Sequence, residues 1–557
     1  MLDLDGARTL VALLRQRFAE QQGYLDALDR AVGDGDHGTT MARAWRQAEQ
    51  DTAEIEFDDL GMFFDAVATS VSESAGGAVG PLLAALLAEA GSTLRGKTTA
   101  GLADILRCLE RGAQAISEIG GAQPGEKTLI DALLPAVEAM RQRVGRRPDV
   151  ALAGAAAAAR RGAEETRSMR ATRGRARFLG ERSEGHQDPG ATSIAIMFSV
   201  FVDLAWHVRP RPAEATAETA LHPVSGKLVN DPARMIVEEL EGLALAHPRY
   251  IRQTATPGVL ARATPKPAGK VGLAIGHGGG HTPSMAGFIG EGLLDADAYG
   301  PLFTCASGVR IAAAIAEADR GAGVVLLVSN HTGDVLNARL AVRRAEQLGI
   351  ITRSVLLTDD VATAPRERYL ERRGLGGLLF ALKVGGAAAE AGCGLDEVAE
   401  LMTRVNERTA TLAVAVKAPT HPATGKPLFD LAPGHIEIGT GVHGESGVYS
   451  GPHLPADQIV DLLLDRLVPD LGGLIVNDRV WAFVNGAGAT SMMELHILYR
   501  RVAQGLAARG LSLADGVVNT YFTTQDMAGF SLSLCALDDE LARWWDAPAR
   551  SAYFHHP

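Results

Sequence analysis

Metal-binding cysteine and histidine patterns are missing from this 557-residue sequence, as are a basic face and any long apolar run. Its four cysteines, Cys108, Cys305, Cys393 and Cys535, stand far apart. That excludes a thiolate metal cluster by spacing and fits buried thiols in a reducing compartment. With no HxH or HExxH, zinc is the poorer reading for any histidine. A formal charge of −12 argues against a nucleic-acid or anionic-membrane partner. The most membrane-like stretch, residues 194–202, is too short to span a bilayer and ends at Asp203. No signal-peptide pattern opens the sequence. The expectation is a cytoplasmic protein with no nucleic-acid and no membrane partner. Its length implies roughly two to four domains, and an apolar content of 46% supplies their cores.

Strand-like alternation is absent from residues 1–207, where Ala, Leu, Arg and Glu dominate and apolar residues recur at helical spacing, as in Leu102, Ile105, Leu106 and Leu109. Glycine clusters at 33–38, 76–80, 120–125 and 180–190 predict loops gathered at one end of a helical bundle. Residues 208–222, with Pro210 and Pro212, read as a linker. Beyond it, short β-branched runs at 271–275, 324–328, 352–357, 412–416, 474–476 and 480–484 alternate with helical stretches such as 309–318 and 336–348. That pattern predicts an α/β domain with a largely parallel sheet, its ligands at the strand ends.

The stretch Leu28-Asp29-Arg30-Ala31-Val32-Gly33-Asp34-Gly35-Asp36-His37-Gly38 concentrates acid where glycine permits a tight turn. Asp29 is expected at a helix end, with Asp34 and Asp36 folded back beside it. Carboxylates so crowded repel unless protonated or bridged by cations, and hard oxygen donors suit Mg²⁺ whose shell is completed by phosphates. The plainer alternative is a solvated turn with Asp34 or Asp36 capping a helix over 39–49. Gly76-Gly77-Ala78-Val79-Gly80-Pro81 precedes a strong helix, whose first amides suit a phosphate or simply start the helix.

Two motif matches fail on context. Gly91-Ser92-Thr93-Leu94-Arg95-Gly96-Lys97-Thr98 fits a P-loop, but helix-forming residues precede it where a strand is required. Gly439-Thr440-Gly441-Val442-His443-Gly444 fits a dinucleotide fingerprint, but the residues after it do not open a helix. Histidines instead follow three predicted strands: His277-Gly278-Gly279-Gly280-His281, Asn330-His331-Thr332-Gly333-Asp334, and His443.

The acidic turn at 29–38, the 76–82 loop, Gly125-Glu126-Lys127-Thr128-Leu129-Ile130-Asp131 and residues 174–190 resemble the nucleotide-binding domain of the dihydroxyacetone kinase family. Residues 228–232, 278–283, 287–295, 330–337, 441–447 and 523–531 resemble its ketone-binding domain. The resemblance covers nearly the whole chain, though the family's single-chain kinases usually place the ketone domain first. It implies an all-α helical barrel over 1–207, the linker at 208–222, and an α/β ketone-binding domain over 223–557 built of two α/β subdomains, roughly 223–408 and 409–557. The implied activity is ATP-dependent phosphorylation of a terminal hydroxyl of a short ketose, in a homodimer.

By position, Asp29, Asp34 and Asp36 would hold two Mg²⁺ ions against ATP. His37, Thr39, Gly76, Gly77, Ala78, Val79, Gly80, Thr128, Arg175, Asp188 and Gly190 would surround the nucleotide. Val79 stands where the family commonly has serine, which removes one hydroxyl. His443 matches the histidine that bonds covalently to the substrate carbonyl, and His281 and Asp334 match residues near the hydroxyl that is phosphorylated. Gly278, Gly279, Gly280 and Ser329 fall at substrate-binding positions. Ser329 replaces a usual lysine, His331 a tyrosine, Gly279 a serine and Thr282 a glutamate. These losses of bulk and charge predict room for a four-carbon ketose such as erythrulose. The alternatives are dihydroxyacetone itself, a phosphoenolpyruvate-dependent phosphotransfer variant built of separate subunits, and a ligand-binding regulator without catalysis.

Overall fold

The computed structural model describes residues 1–33, 35–205, 227–232, 234–422, 425–441 and 447–557, with the side chains of Arg175 and Phe178 left out. Asp34, His443 and the linker expected at 208–222 therefore lie outside the described residues. The chain divides into two compact units, Met1–Thr219 and Ala220–Pro557.

The first unit is helical, as its composition predicts: α1 (Leu4–Arg30), α2 (His37–Ala53), α3 (Leu60–Ser74), α4 (Val79–Leu94), α5 (Leu102–Gly120), α6 (Ile130–Arg141), α7 (Pro148–Glu165) and α8 (Pro189–Ala205). Asp3 and Asp59 cap α1 and α3, accepting the Gly6 and Met62 amides at 2.8 and 2.7 Å. Gly121, at φ 66°, ends α5 in the left-handed conformation that glycine adopts without strain. Each helix packs on the next, and α8 returns onto α1. Phe18, Trp45, Phe63 and Phe198 are fully buried between them, each Phe worth about 1.5–3 kcal/mol in burial. Gly91 lies inside α4, so the P-loop match has a helix where a strand is needed.

The second unit opens with α9 (Met235–Ala246), β1 (Ile251–Gln253), β2 (Val259–Arg262), β3 (Gly272–Gly279), β4 (Gly290–Glu291) and β5 (Ala296–Leu302). Then come α10 (Gly308–Ala318), β6 (Val324–Ser329), α11 (Thr332–Gln347) and β7 (Thr352–Leu357). The sheet order is β1-β2-β5-β3-β6-β7, parallel from β5 to β7. β3 is buried along its whole length, as a strand covered on both faces must be.

Two helices, α12 (Leu378–Ala391) and α13 (Leu395–Glu407), lead to the second sheet. Its elements are β8 (Thr409–Lys417), β9 (His435–Ile438), β10 (Tyr449–Pro452), α14 (Ala456–Leu471), β11 (Arg479–Gly486), α15 (Met492–Ala508), β12 (Ser512–Asn519) and β13 (Ala528–Cys535). The order β10-β9-β8-β13-β11-β12 is antiparallel except for β11 and β12. The largely parallel sheet expected from the sequence is thus found only in the first half. A parallel pair needs a crossover, which α15 supplies for β11 and β12 and which no described helix supplies between β8, β9 and β10. The strand expected at 474–476 is a turn instead: Asn477 and Asp478 both sit at φ 54°, and Val476 bridges Arg479 across them. Finally α16 (Asp539–Trp545), β14 (Ala549–Ser551) and β15 (His555–His556) bring the chain back to β4 in a small third sheet, β15-β14-β4.

Candidate active site

At the end of α1, Asp29 is buried and its Oδ2 accepts the amides of Gly35 and Asp36 at 2.8 and 3.1 Å. Its carbonyl takes the Val32 amide at 2.9 Å and the Gly33 amide at 2.5 Å. A Cβ at Gly33 would stand 2.3 Å from Asp29 Oδ1, so only glycine lets the turn close on this carboxylate. Asp36 occupies the N-cap of α2 without capping it through its side chain, which removes the plainer reading for that residue. His37 Nε2 pairs with Ser193 Oγ of α8 at 2.8 Å. Thr39 is held by a residue the sequence did not single out: Asp26 accepts its amide and its hydroxyl, both at 2.9 Å.

The other glycine loops of this unit converge on the same end. Arg43 of α2, largely buried, donates to the Ser74 carbonyl at 2.9 Å beside the 76–80 loop. Burial lowers its pKa, opposed by the charge of Asp36. Gly76 and Gly77 (φ 64°) lead through Ala78 to Val79, the first residue of α4, whose start has no side-chain cap. A Cβ at Gly80 would meet the Ala75 oxygen at 2.2 Å.

On the other side, Asp131 folds the 125–128 loop by accepting the Gly125 and Thr128 amides at 2.5 and 2.7 Å. Buried Lys127 donates to the carbonyls of Thr166, at 2.6 Å, and His186. Asp188 caps α8 through the Ala191 amide at 2.6 Å, and Gly190 follows in the first turn of that helix. Burial pushes the Asp188 carboxyl up to about 7; Asp131 and Asp29 add to the rise, while the Ala191 amide and Lys127 oppose it. Carboxylates that repel one another at a helix-bundle end are the electrostatic condition a divalent cation relieves, and oxygen donors such as Asp29 and Asp36 are of the type hard metal ions take. Of the three predicted metal ligands, Asp29 and Asp36 meet through the Asp36 amide, and among the described residues no group of three metal-ligating side chains forms. Arg175 begins the 3₁₀ stretch Arg175–Ser183.

In the second unit, His281 follows the end of β3. Its Nδ1 lies 2.7 Å from the Thr523 carbonyl oxygen. A carbonyl only accepts, so Nδ1 carries the proton and Nε2 is the acceptor nitrogen. Thr523 Oγ1 in turn donates to the Thr282 carbonyl at 2.9 Å. The His281 ring lies 5.5 Å from that of Phe303 and 6.5 Å from that of His277. Asp334 stands in the first turn of α11. It bonds the Cys305 thiol, whose pKa burial and then this carboxylate push well up. Ser329 ends β6, and His331 turns Nε2 to the Gly374 carbonyl at 3.3 Å.

Gly278, Gly279 and Gly280 are packing requirements. A Cβ on them would stand 2.8 Å from Thr304 N, 2.4 Å from Ile236 Cδ1 and 2.6 Å from Leu302 Cδ1 respectively. The room predicted at Gly279 is therefore filled, by Ile236 of α9. Nor does Thr282 leave a void: its hydroxyl donates to Glu239, also of α9, a carboxyl held above its usual range by burial. Beside this loop a cavity of about 380 Å³ is lined by Gly280, Thr282, Thr523, Gln525, Asp526 and Lys227, among others. Lys227 and Asp526 pair across it at 2.7 Å.

Residues 241–553 match the Dak1 domain, and residues 31–203 match the DAK2 domain. The chain belongs to the dihydroxyacetone kinase family. The L-erythrulose kinase of Pectobacterium atrosepticum is 38% identical over 330 residues, which are 59% of this chain and 56% of that protein. The chain thus aligns with little more than half the length of that relative. Among solved structures, the dihydroxyacetone kinase operon co-activator Dha-DhaQ superposes with a TM-score of 0.55 at 28% identity, covering 58% of this chain and 99% of the other. The dihydroxyacetone kinase of C. freundii in complex with AMP-PNP and Mg²⁺ gives 0.54 at 27% identity, covering 60% and 61%. The two-part architecture of this family member, helical first and α/β second, follows the order DAK2 then Dak1.

Proposed function

We propose that the chain is an ATP-dependent kinase that phosphorylates a terminal hydroxyl of a short ketose, with a four-carbon ketose such as erythrulose as substrate. The observation that carries this reading is His281, whose tautomer the Thr523 carbonyl fixes so that Nε2 can accept a hydroxyl proton. The L-erythrulose kinase relative supports the substrate, and the C. freundii complex supports ATP with Mg²⁺.

The closed succession of helices supports reading the first unit as a helical barrel that binds the nucleotide. Asp29, Asp34 and Asp36 would hold two Mg²⁺ ions, which supply charge compensation for the triphosphate and polarise its terminal phosphoryl group. The uncapped start of α4 offers the amides of Val79 and Gly80 to phosphate oxygens. His37, Thr128 and Arg175 would complete the surroundings of the nucleotide. In the second unit, His443 would add its imidazole nitrogen to the ketone carbon while its N–H proton passes to the carbonyl oxygen. A ketone undergoes this addition and a polyol does not, so the step separates ketose from glycerol. His281 or Asp334 would then take the proton of the hydroxyl that attacks phosphorus.

Two other readings each rest on one observation. Ile236 filling the space at Gly279 favours the three-carbon dihydroxyacetone. The likeness to the operon co-activator Dha-DhaQ favours a regulator without catalysis, which has no use for an acidic metal turn. ADP release from ATP, measured as kcat/KM over three-, four- and five-carbon ketoses with glycerol as control, separates them. Preference for a tetrulose supports the proposal, preference for dihydroxyacetone overturns the substrate, and no ketose-dependent ADP overturns the kinase.

A further inference from the structure

Ile236 fills the room predicted at Gly279, yet the turn that carries His281 borders an open space elsewhere. The cavity of about 380 Å³ is lined by Gly280 and Thr282, the residues on either side of His281, and by Thr523, whose carbonyl holds the His281 ring at 2.7 Å. Small-molecule sites run to roughly 300–1,000 Å³, so its volume suits one. The segment that supplies Thr523, Gln525 and Asp526 to the lining is fixed to the turn by its backbone. The Thr523 amide donates to the His281 carbonyl at 3.3 Å, and the Gln525 amide donates to the Gly280 carbonyl at 3.2 Å. The wall of the cavity and the turn that presents His281 are one hydrogen-bonded assembly.

The lining narrows the ligand. Among the described residues its charged side chains are Lys227 and Asp526, which meet at 2.7 Å, so their charges cancel and leave a neutral, polar space. An anion drawn to Lys227 would also meet the Asp526 carboxylate, and that repulsion offsets the attraction. A hydroxyl, which both donates and accepts, suits the two together. The hydroxyl of Thr282 is committed to Glu239, and that of Thr523 to the Thr282 carbonyl. Lys227 and Asp526 have capacity left. An ammonium has three donors and a carboxylate about four acceptor positions; their own contact and the Thr420 amide, 2.8 Å from Asp526 Oδ1, occupy only part of these.

We propose that this cavity is the subsite for the part of a ketose beyond its third carbon, with Lys227 and Asp526 as the specificity-determining pair: Lys227 donates to the added hydroxyl and Asp526 accepts from it. This rests on reading the chain as a ketose kinase with His281 beside the reacting hydroxyl. A three-carbon ketose leaves the pair to itself, whereas a tetrulose extends past the turn and engages it. The packing of Ile236 against Gly279 then sets no limit on chain length.

The test compares the full chain with three variants. Lys227→Met removes the donor, Asp526→Asn removes the charge of the acceptor, and Ala489→Leu narrows the cavity from an exposed position in its lining. Thermal melts select the variants that fold, and kcat/KM is measured for erythrulose and for dihydroxyacetone. The erythrulose-to-dihydroxyacetone ratio is expected to fall roughly tenfold in each, the scale of one hydrogen bond lost or one clash gained. A ratio that stays constant, with both ketoses losing equally as a merely structural pair would have it, overturns the proposal. Inorganic phosphate that competes with erythrulose on the wild type but not on Lys227→Met marks an anion site and also overturns it. A wild type that prefers dihydroxyacetone defeats the substrate reading alone, and the change in ratio still decides the subsite. If the wild type phosphorylates no ketose, the kinase reading fails, and calorimetric titration with the two ketoses in the absence of ATP decides this one. Tighter binding of erythrulose that the variants lose upholds it; equal binding of the two, or none, overturns it.

Discussion

Thr523 and His281 are 242 residues apart in sequence, and the carbonyl of the first accepts the Nδ1–H of the second at 2.7 Å. The contact joins the segment between β12 and β13 of the second sheet to the turn after β3 of the first. The ring nitrogen of His281 that carries the proton is therefore set by a segment of the other sheet. Thr523 Oγ1, bonded to the Thr282 carbonyl, secures the same segment on the far side of the histidine.

Asp36→Asn should lower turnover by orders of magnitude and leave the fold intact. The Asp36 side chain does not cap α2, whereas Asp29 holds two amides of the turn. Asp29→Asn should thus lower the melting temperature as well as turnover. Steady-state kinetics and a thermal melt on both variants check this; unchanged turnover in Asp36→Asn removes the metal role.

His443→Ala should abolish the covalent ketone adduct seen by intact-mass spectrometry and narrow the discrimination between ketose and polyol. Persistence of the adduct would assign the nucleophile elsewhere, with His281 the next candidate.

Gly279→Ser should be destabilising, because its Cβ would meet Ile236 Cδ1 at 2.4 Å; overpacking of this kind costs about 1–3 kcal/mol. Adding Ile236→Ala should recover part of the loss, since the second change makes the space the first one needs. A double-mutant cycle on melting temperature tests it, and strictly additive losses would mean that the two side chains do not compete.

If two chains pair and the helical unit of one serves the ketose site of the other, mixing His443→Ala with Asp36→Asn chains should restore activity toward a quarter to a half of wild type. Verified mixed dimers without activity would place transfer within a single chain.

Much of the scaffold was legible because the signals are local. The runs at 324–328 and 352–357 became β6 and β7, and the acidic turn follows α1 as its glycines require. Strand direction in the second sheet was not legible, since alternation of helix and strand does not record which way a strand runs. The supporting side chains were missed for a similar reason. Asp26 reaches Thr39 across 13 residues, Asp297 reaches His277 across 20, and Glu239 reaches Thr282 across 43. None of these separations leaves a spacing that a motif can register; only the folded chain brings the carboxylates to their partners.

The position of β13 has a consequence for biosynthesis. Residues 528–535 form a central strand, between β8 and β11, so the second sheet lacks its middle until those residues have been made. The helices of the first unit pack mainly on their sequence neighbours and find their partners as they leave the ribosome. A strand edge on β8, by contrast, waits for more than a hundred residues of synthesis before it is covered. During that interval the nascent second half, not the helical half, is the part that needs shelter from aggregation.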